Sequence, residues 1–431
     1  MPTYLIDGGT PLRGDVTPSG NKNAALPLLT ACLLTEEPVV LRNVPDIGDV
    51  RVMRQLLESL GVMFEDLDIH TWRISAQDPR QADLNPDLCR QIRASILIAG
   101  PMLGRTGEIT LPPPGGDVIG RRRVDTHLLA LEKLGAEVSF SEREFHMRAP
   151  QGLQGGDVLL DEASVTATEN AIMAAVKARG KSVIRNAASE PHVQELCHFL
   201  NTVGAKIENI GSNTLNITGV DSLHGGEYSI GPDYLEVVSL IGASVVTGGE
   251  IRIRNAGPEY LDMARLVLQK LGVHWEVSGS DVFVPANQSM EIEPDVGGKI
   301  PQISVMPWPA FPTDLMSIAI VIATQSNGTV LFHDWMYETR MFFIDKLVSM
   351  GARIILCDPH RAIVQGPSPL FGEQLESPDI RAGLALTLAA LAAQGTSRIR
   401  NIGQIERGYE RIDEKLRQLG ANIQRLESET G

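Results

Sequence analysis

Asp117 follows three prolines and two glycines in LPPPGGDVIGRRRVD (111–125), and Arg121, Arg122 and Arg123 come four to six positions later. The prolines stiffen the chain and the glycines loosen it, which sets one carboxylate on a mobile hinge beside three guanidiniums. Glycine lets the backbone reshape, and arginine matches phosphate and carboxylate oxygens. In TPSGNKNAALPLL (17–29), Lys22 and Asn23 sit on a Ser-Gly turn opening an apolar helix, where both the helix end and the ammonium favour an anion. Asp314 holds the corresponding place in PAFPTDLMSIAI (309–320). On its own it reads as a first-turn acid beside a Thr313 cap, the commoner use of such a residue. Arg93, Arg340, Arg381 and Arg407 recur near equivalent turns, and several such arginines point to a shared anion site. Neither G-x-x-x-x-G-K-[ST] nor G-x-G-x-x-G occurs, and no His, Asp or Glu set has metal-ligand spacing, so no metal or cofactor is expected. By their isolation, His127 and His192 read as structural.

The elements that position these residues come from an internal repeat. Glycines at 61, 135, 204, 272, 351 and 420 each close an amphipathic run and open an alternating apolar segment, as in SLGVMF and KLGAEVSF. Their mean step is (420 − 61)/5, about 72 residues. The pattern is a helix with a glycine stop running into a strand. Five of these glycines are preceded by 17 to 19 residues by a short strand ending in a turn residue: Asn43, Asn186, Asn255, Asp334 and Asn401. Between cassettes lie helices apolar almost all round, such as NAALPLLTACLLT and RAGLALTLAALAAQ, which should be buried. Six such units fit two α/β domains of three each, helices inside and sheets outside. The chain divides near 219–233 and crosses again near 18–23. The strand TYLIDGG has no cassette on its own side and is expected to pair with the C-terminal half.

Composition narrows the function. The 431 residues are 43% hydrophobic with a formal net charge of −15, which argues against a nucleic-acid partner but leaves small anionic substrates open. No signal peptide is read at the N-terminus, and the apolar runs near 316–324 and 382–393 are shorter than the ~18 residues of a membrane span. Cys32, Cys89, Cys197 and Cys357 are scattered and read as small core residues in a reduced compartment, the cytoplasm. No obligate protein partner is legible.

PSGNKNAALPLL, LPPPGGDVIGRRRVDTH, EASVTATEN, PAFPTD, PDIRAGLAL and ERGYERIDEKLRQLGANI together closely resemble the UDP-N-acetylglucosamine enolpyruvyl transferases, in one register from residue 3 to about residue 427. The resemblance implies an inside-out α/β barrel pair, two domains each of three βαβαββ units with buried helices and outer sheets. The first domain would span 22–229, with a mobile loop at 112–123, and the second 1–21 plus 230–431. The implied reaction moves enolpyruvyl from phosphoenolpyruvate to the 3′-hydroxyl of UDP-N-acetylglucosamine and releases phosphate, a committed step towards peptidoglycan, without metal or cofactor.

By the same resemblance, Lys22 binds phosphoenolpyruvate and Asn23 lies beside the sugar. Arg122, Arg381 and Arg407 surround the phosphate and carboxylate of the donor. Arg93, Arg122, Arg123, Val124, His127, Ser164 and Val165 fall where uridine diphosphate is held, and Met336 and Arg340 beside the sugar nucleotide. Asp314 contacts the 3′-hydroxyl as the base. Asp117 replaces the cysteine that most members use as general acid towards C3 of phosphoenolpyruvate. An aspartate can serve only if protonated with substrate bound, which neighbouring arginines oppose and a dianionic phosphate with desolvation favours. Departures from the family pattern are Thr166 for glycine in SVGATE, Tyr234 for arginine in PDRIEAGT, Thr339 for asparagine in ENR, and Gln404 for a frequent histidine. They leave two alternatives: a paralogue with another acceptor, in the manner of 5-enolpyruvylshikimate-3-phosphate synthase, or a non-catalytic sugar-nucleotide-binding regulator.

Overall fold

The computed structural model describes residues 1–80, 84–117 and 119–427. It divides into two compact units. Unit 1 comprises Met1–Ser19, Val118–Arg121 and Pro232–Gly431, and unit 2 comprises Gly20–Asp117 and Arg122–Gly231. Each unit has its own hydrophobic core.

The repeat is realised in the backbone. All six cassette glycines have positive φ, from 80° at Gly272 to 105° at Gly204 and Gly351, as a left-handed helix stop requires. Asn43, Asn186, Asn255 and Asn401 are also left-handed, at φ between 48° and 58°, the region asparagine tolerates best after glycine. The second cassette has no such residue because its strand, Glu108–Leu111, runs directly into the proline-glycine loop.

Six inward elements follow from the apolar runs: α1 (Lys22–Ala31), α2 (Ala99–Arg105, entered through the 3₁₀ turn Arg93–Ile98), α3 (Val165–Lys177), α4 (Tyr234–Val246), α5 (Met316–Gln325) and α6 (Ile380–Ala392). Every residue of α4 is buried, as are all of α5 but its last and all of α6 but its last. Two of their hydroxyls turn back on the helix: Ser239 Oγ donates to the Leu235 carbonyl at 2.7 Å and Thr387 Oγ1 to Gly383 at 3.0 Å. In unit 1, α4, α5 and α6 pack on one another, with the sheets outside them. Each unit is an inside-out α/β barrel.

Among the described residues there are five four-stranded sheets and one three-stranded sheet, the latter Glu108–Leu111, Glu144–Arg148 and Glu137–Ser141. Every four-stranded sheet has one parallel edge pair and two antiparallel pairs. The strand Thr3–Asp7 lies between Thr396–Arg400 and Asn422–Leu426, antiparallel to both, so it pairs with the C-terminal half as expected. Arg13–Val16 runs parallel to Glu250–Ile253. At the chain crossings Asn21 N–H donates to the Gly231 carbonyl at 2.8 Å, and Asp233 N–H donates to Ser19 at 2.9 Å.

One expectation fails. Cys32, Cys89 and Cys197 are buried, but Cys357 is exposed, on the outward side of strand Arg353–Asp358. Alternation along that strand, which leaves Ile355 exposed too, puts 357 on the solvent face. Among the described residues no helix is long and apolar enough to cross a membrane.

Candidate active site

The polar residues singled out above cluster at the starts of the inward helices. Asn21 caps α1, its side chain accepting from Asn23 N–H at 2.8 Å and Ala24 N–H at 3.2 Å. Ser164 caps α3, Asp233 caps α4 and Asp379 caps α6. The start of α5 differs. Thr313 makes no cap: its Oγ1 donates to Asp334 Oδ2 at 2.5 Å, and Thr313–Leu315 form a 3₁₀ turn entered from Pro312. The expected Thr313 cap is therefore replaced by a bond to a buried carboxylate.

In unit 1, Asp314 lies between two buried guanidiniums. Arg340 Nη2 donates to Asp314 Oδ1 at 2.7 Å, and Arg381 Nε donates to Oδ2 at 3.2 Å. The two arginine side chains are 4% and 5% exposed and that of Asp314 is 28%, so the carboxylate is the open face of a group whose cations are sealed inside. Arg381 is fixed further by Tyr409, with Nη1 2.6 Å from the hydroxyl and the guanidinium 5.2 Å from the ring centroid. Asp379 accepts the backbone N–H of Arg381 at 2.8 Å and stands 4.0 Å from Arg340 Nη1. Arg340 also stacks over Tyr337, and among the described residues its buried Nε has no hydrogen-bond acceptor. Asp334 is fully buried, and desolvation raises its pKa against the opposing bond from Thr313 and the field of Arg340. Arg407 donates through Nη1 to Gln404 Oε1 at 3.0 Å, and Met336 N–H donates to Asp334 Oδ1 at 3.0 Å. Arg121 N–H donates to Glu338 Oε2 at 3.2 Å, and Thr339 N–H donates to the Ile119 carbonyl at 3.3 Å.

In unit 2, Lys22 is buried at the first position of α1 and paired with Asp49 at 2.8 Å. Asn23 is half-buried beside it. The glycines before Asp117 do something other than confer freedom. Gly115 and Gly116 donate their N–H groups to the Cys89 and Arg90 carbonyls, and a Cβ at 115 would lie 1.7 Å from Arg90 O. The loop backbone is thus pressed onto the end of a helix, where only glycine fits. Gly116, at φ 101°, lies against Arg93 and Arg122, which places half-buried Asp117 at the edge of an arginine group. Val118 of that loop lies outside the described residues. Arg93 donates to the Arg123 carbonyl. Arg123 itself is committed to carboxylates, Asp125 and Asp161, each at 3.2 Å. Val124 precedes the helix Asp125–Lys133, whose His127 is buried and bonded to Thr166 and Asn170. Ser164 and Val165 stand half-buried at the start of α3.

Sequence reasoning missed Asp49, Asp334, Asp379 and Tyr409. Tyr409 was visible within RGYERI and Asp379 as the polar residue before a buried helix. Asp334 was marked only as the turn residue that ends a cassette strand, and Asp49 gave no signal beyond its type.

In unit 1 the Asp314 group offers a carboxylate for proton exchange, and in unit 2 the arginines beside Gly116 offer cations to an anion. The buried cations hold the charge of Asp314 in place.

The comparisons with known proteins agree on a family. The profile of EPSP synthase (3-phosphoshikimate 1-carboxyvinyltransferase) matches residues 6–416. The chain is 56% identical to UDP-N-acetylglucosamine 1-carboxyvinyltransferase of Bradyrhizobium diazoefficiens over 98% of both chains. It is 53% identical to the protein of that name from Treponema denticola, over 98% of this chain and 99% of that one. Among solved structures, the enolpyruvyl transferase NikO from Streptomyces tendae superposes with a TM-score of 0.87 at 24% identity, covering 99% of each chain. EPSP synthase from Acinetobacter baumannii gives 0.75 at 15% identity, over 99% of this chain and 100% of that one. These two likenesses speak to the fold. The family profile and the full-length relatives establish more: the chain belongs to the EPSP synthase family of carboxyvinyl (enolpyruvyl) transferases and is an enzyme of that class.

Proposed function

We propose that the enzyme transfers the enolpyruvyl group of phosphoenolpyruvate to the 3′-hydroxyl of UDP-N-acetylglucosamine, releasing phosphate. The observation that carries this reading is full-length identity of about half with relatives bearing the name of that activity. The reading assigns a group to each task. Adding an O–H across the donor's double bond requires a base at the oxygen and an acid at C3. Expelling phosphate then returns the C3 proton. Asp314 is the base, its carboxylate the exposed member of a charge group whose cations are buried. Asp117 is the acid, carried on the loop beside Arg93 and Arg122. Lys22, Arg122, Arg381 and Arg407 receive the phosphate and carboxylate of the donor. Arg93, Arg122, Arg123, Val124, Ser164 and Val165 hold the uridine diphosphate, and Asn23, Met336 and Arg340 attend the sugar. Both substrates are small cytoplasmic molecules, and the product leads to peptidoglycan.

The test is phosphate release by the purified enzyme. It should occur with phosphoenolpyruvate plus UDP-N-acetylglucosamine and not with either alone. Turnover with shikimate 3-phosphate in place of the sugar nucleotide would refute the reading.

A further inference from the structure

Asn170 on α3 anchors a buried hydrogen-bond relay whose proton positions are fixed by its partners. Its Oδ1 accepts the backbone N–H of Gly100 at 2.8 Å, and a backbone amide can only donate. The amide orientation follows: Nδ2 faces the Ile96 carbonyl at 2.8 Å and His127 Nδ1 at 3.0 Å. An NH₂ group offers no lone pair, so His127 Nδ1 is the acceptor and carries no proton. The ring is 1% exposed, and burial, with the field of Arg93, pushes its pKa down to about 3. Neutral His127 therefore keeps its single proton on Nε2, which lies 3.0 Å from Thr166 Oγ1. The imidazole donates and the threonine hydroxyl accepts. That leaves the hydroxyl's own proton to give, in a direction narrowed by the incoming bond. Among the described residues His127 is the one partner of this hydroxyl, and Thr166 is half-buried directly after Ser164 and Val165.

We infer that Thr166 is a specificity-determining residue whose hydroxyl, aimed through His127, donates to a phosphate oxygen of a nucleoside diphosphate. Three features select that ligand class. The remaining demand of the hydroxyl is for an acceptor, and a phosphate oxygen is a strong one. The charge adjoining His127 is Arg93, a cation. Ser164 and Val165 are the residues assigned above to the diphosphate, so the inference rests on the proposed function. It also recasts His127 as a positioning residue that makes no substrate contact of its own.

The experiment compares wild type, Thr166→Val and Thr166→Ser, with UDP and uridine as calorimetric probes and with steady-state kinetics. Valine keeps the branched shape and removes the donor, while serine keeps the donor. Thr166→Val should bind UDP about tenfold or more weakly, the size of one hydrogen bond to a charged group. Uridine, which lacks the diphosphate, should bind both proteins alike. The KM for UDP-N-acetylglucosamine should rise with little change in the KM for phosphoenolpyruvate, and Thr166→Ser should recover most of the loss. In the Thr166→Val background, His127→Gln should cost no further UDP affinity, because the relay then has nothing to aim. Equal UDP affinity in wild type and Thr166→Val overturns the inference, as does equal weakening for uridine. The two readings separate cleanly. A wild type that binds UDP and loses it on Thr166→Val, yet transfers no enolpyruvyl group, upholds the relay and refutes the proposed reaction. A wild type that does not bind UDP refutes both.

Discussion

Replacing Asp314 with asparagine tests how much of this site is charge and how much is shape. The amide oxygen can still accept from one arginine, at 2.7 or 3.2 Å in the present geometry, but its NH₂ then faces the other guanidinium. One charge-assisted hydrogen bond is lost, about 1.5–3 kcal/mol, and a buried cation keeps less compensation than before. Arg381 retains Tyr409 and Arg340 retains Asp379 at 4.0 Å, so the total should stay near 3 kcal/mol and not reach the upper end of the range for a broken buried pair. For a unit of this size that lowers the melting temperature by roughly 6–12 °C. Catalysis should suffer separately: loss of a general base costs on the order of 10²–10⁴ in kcat, whereas UDP binding should be almost unchanged. Circular-dichroism melting, calorimetry with UDP and phosphate release give the three readouts. Near wild-type turnover with the full loss of stability would show that Asp314 only neutralises the arginines, and the base assignment would fall.

Four further outcomes are expected. Asp117→Ala should lose most turnover with sugar-nucleotide binding retained. Wild type should stay active in fosfomycin, an epoxide to which a carboxylate is a poor nucleophile, and Asp117→Cys should be active and sensitive; covalent labelling of the wild type, seen by mass spectrometry, would contradict this. Glu195 accepts the Gly231 N–H at 2.6 Å, and burial, partly opposed by that bond, raises its pKa from 4.5 to about 7. The folded protein therefore holds this proton more tightly than the unfolded chain, and stability falls as pH rises from about 4.5 to about 7. Glu195→Gln should remove that slope and be more stable at pH 8 by about 2–3 kcal/mol; parallel melting curves for the two proteins across this window would refute it. Gly20→Ala should lower the melting temperature sharply, because the new Cβ would lie 1.9 Å from the Asn43 carbonyl oxygen, and an unchanged melt would mean the crossing yields without cost.

Much of the architecture could be read from the chain because its signals are local. A glycine that ends a helix leaves the same mark six times, and an apolar run without a polar face has nowhere to go but inside. The strand Thr3–Asp7 was placed by elimination, since its own half had no cassette for it. The starts of the buried helices were legible for a related reason: a polar cap before an apolar run is a short-range pattern. What escaped depends on distance in sequence. Asp314 meets Arg340 and Arg381 across 26 and 67 residues, and no periodicity connects them. Thr313 looked like a cap, but the carboxylate that claims its hydroxyl is 21 residues away. The glycines of the 112–123 loop were read as hinges, and the backbone they must clear, at Arg90, is invisible in composition. Cys357 lies on the solvent face because strand phase, which residue type does not reveal, decides its side.

Thr3–Asp7 sits between two strands made from the far end of the chain, and this sets an order of events on the ribosome. Gly20–Gly231 carries every strand of its own sheets and can complete its packing while the remainder is still being made. The first strand cannot: its partner Thr396–Arg400 is translated some 390 residues later, about 20–80 s at ordinary elongation rates. During that interval Tyr4 and Ile6, fully enclosed in the finished enzyme, remain on an unpaired edge and invite chaperones or the edges of other nascent chains. Limited proteolysis of stalled nascent chains should accordingly find residues 20–231 resistant before the first nineteen are.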